Sequence, residues 1–344
     1  MSNWYLSSNS LRDRRRICPT ASYNTAIFWS PDGKYLYGTN NQFEFIRLTF
    51  DEDGNPSATE IITPPAWVGS RRQRLVSRGS IDSTGEAIYC FVDDPEDLWE
   101  LWKLSADGAH AERLITSTAF FILDVELQIV GAGGQLAHLE REISQIVVMD
   151  LNEAVVSQHN LRHLRPVHPC DFSPCGRYLL ISCGPTFLEQ YVVVVDVLNG
   201  SEHEIGKGCF ASWSPDGSRI AIASGDQQLC IIDWKTRRAE CVAFIDAHPL
   251  KDLHGTFGAK PSWSPDGQWL LFTLTHWKRI TPSIIEKLVR MPNKPTGDWE
   301  PGSGPENIAV NLQEKTVLPL NSYAYHWAWR PGAPASLGHR RRPC

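Results

Sequence analysis

Long apolar runs are missing from this 344-residue chain. No stretch approaches the roughly 18 to 20 consecutive apolar residues of a membrane-spanning helix. The opening MSNWYLSSNSLRDRRR has no apolar core of signal-peptide length. The expectation is a soluble protein that stays in the cytoplasm, with the nucleus left open. A surplus of positive charge is missing too. The 33 Lys and Arg stand against 39 Asp and Glu, a net charge of −6, which argues against duplex-DNA binding by broad phosphate neutralisation. A disulfide framework is absent: nine cysteines are an odd number without regular spacing. Cys90, Cys183, Cys209, Cys230 and Cys241 fall inside strand-like segments and read as buried free thiols in a reducing compartment.

Catalytic signatures are also lacking. There is no G-x-S-x-G elbow and no H-E-x-x-H. The stretch Gly131 to Gly134 has neither the spacing nor the lysine of a P-loop. Cys170 and Cys175 are separated by four residues, a poor zinc-knuckle spacing.

What the chain does have is a repeat. IFWSPDGKYLYGT (27–39), CDFSPCGRYLLIS (170–182), ASWSPDGSRIAIA (211–223) and PSWSPDGQWLLFT (261–273) share one pattern. GSIDSTGEAIYCF (79–91) is a weaker copy and WAWRPGAP (327–334) a truncated one, while 119–134 sits where another copy is due without its turn. The aromatic residue ends an apolar strand and offers a large surface for packing between sheets. Ser-Pro-Asp-Gly makes a tight turn: proline presets φ, and glycine takes a positive φ. An apolar strand follows, then a third such as YVVVVD (191–196), then turn residues such as Asn199-Gly200 and a short fourth strand. Four strands joined this way are one propeller blade.

This pattern resembles the WD40-like repeat of TolB-type and dipeptidyl-peptidase-type propellers, over roughly residues 26 to 332. The resemblance implies an all-β chain forming a single β-propeller of four-stranded antiparallel blades. It is specific for fold and not for function. First-strand markers near 29, 81, 122, 172, 213, 263 and 329 favour seven blades, with N-terminal strands (4–8 and 15–20) and C-terminal residues joined into the closing blade. Six blades plus extra terminal strands is the alternative. The whole of 1–344 reads as one domain, with a proline-rich loop insertion at 276–306 and a short basic tail at 338–344.

Two functions follow as expectations. The first is a non-catalytic protein–protein interaction scaffold that takes a protein or peptide partner and needs no cofactor. Its candidate contacts are Trp67, Arg71, Arg72 and Arg74 on a basic-aromatic loop, and Trp277 and Trp299 on the long loop. Tryptophan and arginine are enriched at binding hot spots. The second is a metal-dependent lyase or hydrolase acting on a sugar or small molecule at the channel mouth. Oligogalacturonate lyases look similar in outline, with like repeats and a channel-mouth metal held largely by histidine. The resemblance is to the repeat; the candidate ligands of one divalent ion come from position, since His163, His168, His248, His254 and His326 fall just before first strands, where segments line the channel mouth, with His168, His254 and His326 as the metal set. Direct nucleic-acid binding has only the terminal runs Arg14–Arg16 and Arg340–Arg342 behind it.

Overall fold

The repeat folds around the turn that its sequence spells out. Ser30, Ser214 and Ser264 each donate their Oγ hydrogen bond to the aspartate two residues on, at 2.5–2.6 Å. Each hydroxyl oxygen also accepts the N–H five residues on, at 2.8–2.9 Å. Gly33, Gly217 and Gly267 close these turns at φ of 66–69°, a region open to glycine at no steric cost. Asp82 replaces the serine in the weaker copy and accepts from the N–H groups of Glu86 and Ala87. Hydrogen bonds from Ser214 and Ser218 hold the Asp216 carboxyl down at about 2.

The computed structural model describes residues 2–7, 14–21, 28–39, 44–51, 55–65, 75–93, 99–117, 125–130, 133–140, 145–151, 155–160, 166–184, 190–223, 228–244, 254–257, 260–279, 299–319 and 329–330. Strands β1 (Ser2–Ser7) and β2 (Arg14–Ala21) precede the ring. Blade 1 contains β3 (Phe28–Trp29), β4 (Tyr35–Thr39), β5 (Phe45–Phe50) and β6 (Pro56–Ile61). Blade 2 contains β7 (Leu75–Ile81), β8 (Ala87–Asp93), β9 (Trp99–Ser105) and β10 (Ala111–Ser117). Blade 3 contains β11 (Val125–Val130), β12 (Gly133–Glu140), β13 (Gln145–Asp150) and β14 (Val155–Asn160). Blade 4 contains β15 (Pro166–Phe172), β16 (Tyr178–Cys183), β17 (Tyr191–Asp196) and β18 (Glu202–Lys207). Blade 5 contains β19 (Cys209–Trp213), β20 (Arg219–Ala223), β21 (Gln228–Asp233) and β22 (Ala239–Phe244). In blade 6 the first strand is split into β23 (His254–Phe257) and β24 (Ser262–Trp263), followed by β25 (Trp269–Arg279), β26 (Trp299–Asn311) and β27 (Thr316–Pro319).

Within each blade the strands pair antiparallel in chain order. The first strands of successive blades meet one another and so form the inner wall of the ring. Apolar clusters fill each seam from blade 1–2 through blade 5–6. The middle strands are apolar on both faces (Val192 to Val195 are fully buried) because each blade is covered on both sides.

The architecture is six blades, not the seven favoured by the marker spacing. The six-blade alternative matches. The seventh marker, Trp329, begins no sheet among the described residues, and β1 and β2 pair only with each other. Trp329 and Arg330 instead bridge blades 6 and 1. Trp329 Nε1 donates to Ser262 O at 3.2 Å, and Arg330 Nε donates to Gly33 O at 2.9 Å. The Arg330 guanidinium lies 5.3 Å from the Trp29 ring and 5.5 Å from that of Phe50. The marker encodes a packing residue, and packing between blades needs the aromatic whether or not three more strands follow.

A second correction concerns 276–306. Its two ends are not loop: β25 runs to Arg279 and β26 begins at Trp299. The sequence hid this because Pro301 and Pro305 lie inside β26, and proline in a run argues against a strand.

Cys90, Cys170 and Cys183 are buried free thiols, while Cys175 is exposed. Burial pushes Cys90 far above the usual thiol range and Cys183 up to about 12, so neither is a nucleophile. No helix among the described residues is long and apolar enough to cross a membrane.

Candidate functional site

In an up-and-down blade the chain enters the first strand and leaves the fourth at one face of the ring, which also carries the second-to-third connections. We call this the connection face. The opposite, turn face carries the Ser-Pro-Asp-Gly turns and the hairpins between third and fourth strands. The sequence-predicted site residues that are described, His168, His254, Trp277 and Trp299, sit at strand ends on the connection face. Trp67, Arg71, Arg72 and Arg74 fall between β6 and β7, and His326 follows β27; all five lie outside the described residues. His168 is on β15, opposite Ser182. Trp277 and Trp299 are on strands rather than on a loop.

Blade 6 brings three of these together. Its second and third strands are 11 and 13 residues long, against five to eight in the other blades. The hairpin therefore overhangs the connection face by about five residues, roughly 16 Å. Strand β23 pairs with the overhang as well, making it three-stranded. The register sets His254 opposite Trp277, Trp277 opposite Pro301, and Arg279 opposite Trp299. Directly opposed residues share a sheet face, as do residues two apart. His254, Trp277, Arg279 and Trp299 thus occupy one face of the overhang. His168, two blades away, does not join them there. Among the described residues, no group of three His, Cys, Asp or Glu side chains is gathered to hold a metal ion.

The inner wall carries a pair that sequence reasoning missed. Asp171 Oδ2 accepts the Trp213 backbone N–H at 2.7 Å, from the neighbouring blade. Its Oδ1 lies 3.2 Å from Lys260 Nζ, in blade 6. One carboxylate thereby ties the inner edges of blades 4, 5 and 6, and satisfies an edge N–H that faces away from its own sheet. Both side chains are partly exposed, so the ion pair itself contributes little. The readable signal was that Asp171 stands where Ser80, Ser212 and Ser262 stand in other copies.

No family model and no curated protein matches the chain. Solved structures do. An oligogalacturonate lyase in complex with manganese aligns with a TM-score of 0.57 at 11% identity, covering 79% of each chain. A TolB-like protein from Agrobacterium tumefaciens aligns with a TM-score of 0.46 at 15% identity, covering 94% of this chain and 92% of that one. TolB from Acinetobacter baumannii gives 0.47 at 16% identity, over 66% and 56%. At these identities the likeness is one of fold. The chain is an all-β, six-bladed propeller.

Proposed function

We propose that the protein is a non-catalytic interaction scaffold that engages a protein or peptide partner on its connection face. The observation that carries this reading is the blade 6 overhang. Packing of the ring does not require those extra residues, and their register gathers two tryptophans and an arginine, residue types that dominate binding energy. The test is affinity purification of the full chain beside two variants. One lacks 280–298; the other replaces Trp67, Arg71 and Arg72 with alanine. Loss of a stoichiometric partner with an unchanged melting temperature is expected. Retention of the partner by both variants overturns the reading.

A second reading, a metal-dependent lyase or hydrolase at the channel mouth, draws on the fold likeness to the manganese-bound lyase. It also draws on the position of His168 and His254 on first strands. It expects about one divalent ion per purified chain, and a thermal shift with Mn2+ that is lost when His168, His254 and His326 are replaced together. A metal-free chain without that shift removes it.

A further inference from the structure

On the turn face, the hairpin between β21 and β22 holds a cation in the left-handed position that glycine occupies in blade 4 and Lys315, at φ 53°, in blade 6. In blade 4 the turn DVLNGS (196–201) places Gly200 at φ 70°, its N–H donating to Asp196 O at 2.8 Å. In blade 5 the turn DWKTRR (233–238) makes the same bond, Arg237 N to Asp233 O at 2.8 Å, with Arg237 at φ 60°. That region disfavours any residue with a Cβ. Strained backbone of this kind concentrates at functional positions.

The strained backbone presents the guanidinium flat on an aromatic platform. Arg237 Cζ lies 3.3 Å from the centre of the Trp234 ring. Trp234 is fixed in turn by edge contacts with Tyr178 at 5.2 Å and Trp213 at 5.3 Å, and His203 stands 6.4 Å away. Arg177, beside Tyr178, is already neutralised by Asp196. Arg237 is not. Among the described residues its guanidinium has no hydrogen bond and no ion pair. Partial burial lowers its pKa, and the only counter-influence is the Tyr178 hydroxyl. The Asp233 carboxylate is engaged by Thr236 through both its N–H and its hydroxyl. Lys235 and Arg238 flank the site and are exposed. An acidic protein thus carries three cations in one tight turn, one of them pre-oriented with its donors unused.

We propose that this turn is a docking site for an acidic segment of a protein partner. Arg237, stacked on Trp234, receives a carboxylate or phosphorylated side chain through its forked N–H groups, and Lys235 and Arg238 add the attracting field. A planar fork held in place suits bidentate oxyanion recognition, which a lysine ammonium does not reproduce. The site lies on the opposite face from the blade 6 overhang and stands independently of it.

The test uses the full chain and fluorescence anisotropy with two labelled probes: decaglutamate, and a decapeptide of alternating phosphoserine and glycine. Arg237→Gly removes the guanidinium and relieves the backbone, so the variant is expected to fold with an unchanged melting temperature. Its affinity is expected to fall by roughly tenfold or more, the loss of a charge-assisted pair. Arg237→Lys is expected to fall between the two. Binding of the phosphopeptide alone identifies phosphate as the ligand; binding of both probes identifies any oxyanion of the class. Equal binding by Arg237→Gly, or no binding of either probe to the native chain, overturns the proposal. So does a labelled RNA 12-mer that binds more tightly than both peptides with the same dependence on Arg237.

Discussion

Replacing Trp263 with alanine is expected to destabilise the protein by about 3–5 kcal/mol, read from denaturant unfolding. The ring is 8% exposed and packs in the seam between blades 5 and 6, against Leu270 and Val310 on one side and Ala221, Leu229 and Ile231 on the other. Two small alanines, Ala221 and Ala223, make room for it. Its removal leaves a cavity that neither sheet can collapse to fill. It also frees the Ser212 carbonyl, which accepts Trp263 Nε1 at 3.3 Å, and removes the face over which Arg219 sits at 5.0 Å. A sharper comparison separates the hydrogen bond from the packing. The equivalent Trp213 is 5% exposed, yet its Nε1 has no partner. Trp263→Phe is therefore expected to cost about 1 kcal/mol more than Trp213→Phe. Equal costs would mean that the indole N–H contributes nothing at the seam.

The second large effect is expected at the junction of blades 4 and 5. Gly208 lies between β18 and β19 at φ 151°, and its N–H donates to Gln190 O at 2.8 Å. A Cβ here would stand 2.6 Å from the Ala223 carbonyl oxygen and 2.5 Å from Ile222 Cγ2. The oxygen belongs to a strand backbone inside the sheet, so it has no rotamer by which to yield. Conformational strain of about 1–3 kcal/mol adds to overpacking of about 1–3 kcal/mol. Gly208→Ala is accordingly expected to lose about 2–6 kcal/mol, with thermal unfolding as the measure. A loss below the lower figure would show that the blade 4–5 seam slides to accommodate the methyl group.

The blade interior was legible from sequence because its physics is local. Ser-Pro-Asp-Gly specifies a turn through proline's φ, the aspartate acceptor and glycine's freedom, and the structure uses all three. The number of blades was not legible. Trp329 carries the same aromatic mark as Trp263 and makes the same kind of bond to the preceding blade, Ser262 O in place of Ser212 O, but no sheet of its own accompanies it among the described residues. The early start of β26 was hidden by Pro301 and Pro305, and with it the extension of its partner β25 to Arg279. The register that sets His254, Trp277, Arg279 and Trp299 on one face depends on pairing between segments some 20 to 50 residues apart, which no single-chain pattern reveals. The Arg237 site was half visible. Aligning DVLNGS with DWKTRR sets an arginine against a glycine, although only the backbone angle shows that this position is left-handed.

The clasp at Arg330 has a temporal side. Its bond to Gly33 spans 297 residues of chain, and it covers Trp29 and Phe50, which are 8% and 5% exposed in the finished ring. At about 5–20 residues per second of ribosomal synthesis, roughly 15–60 s separate the emergence of blade 1 from the arrival of its cover. Throughout that interval the nascent polypeptide carries an open aromatic flank on blade 1. A factor that shields exposed aromatic surface would have its longest opportunity there, and its release would coincide with translation of the final blade.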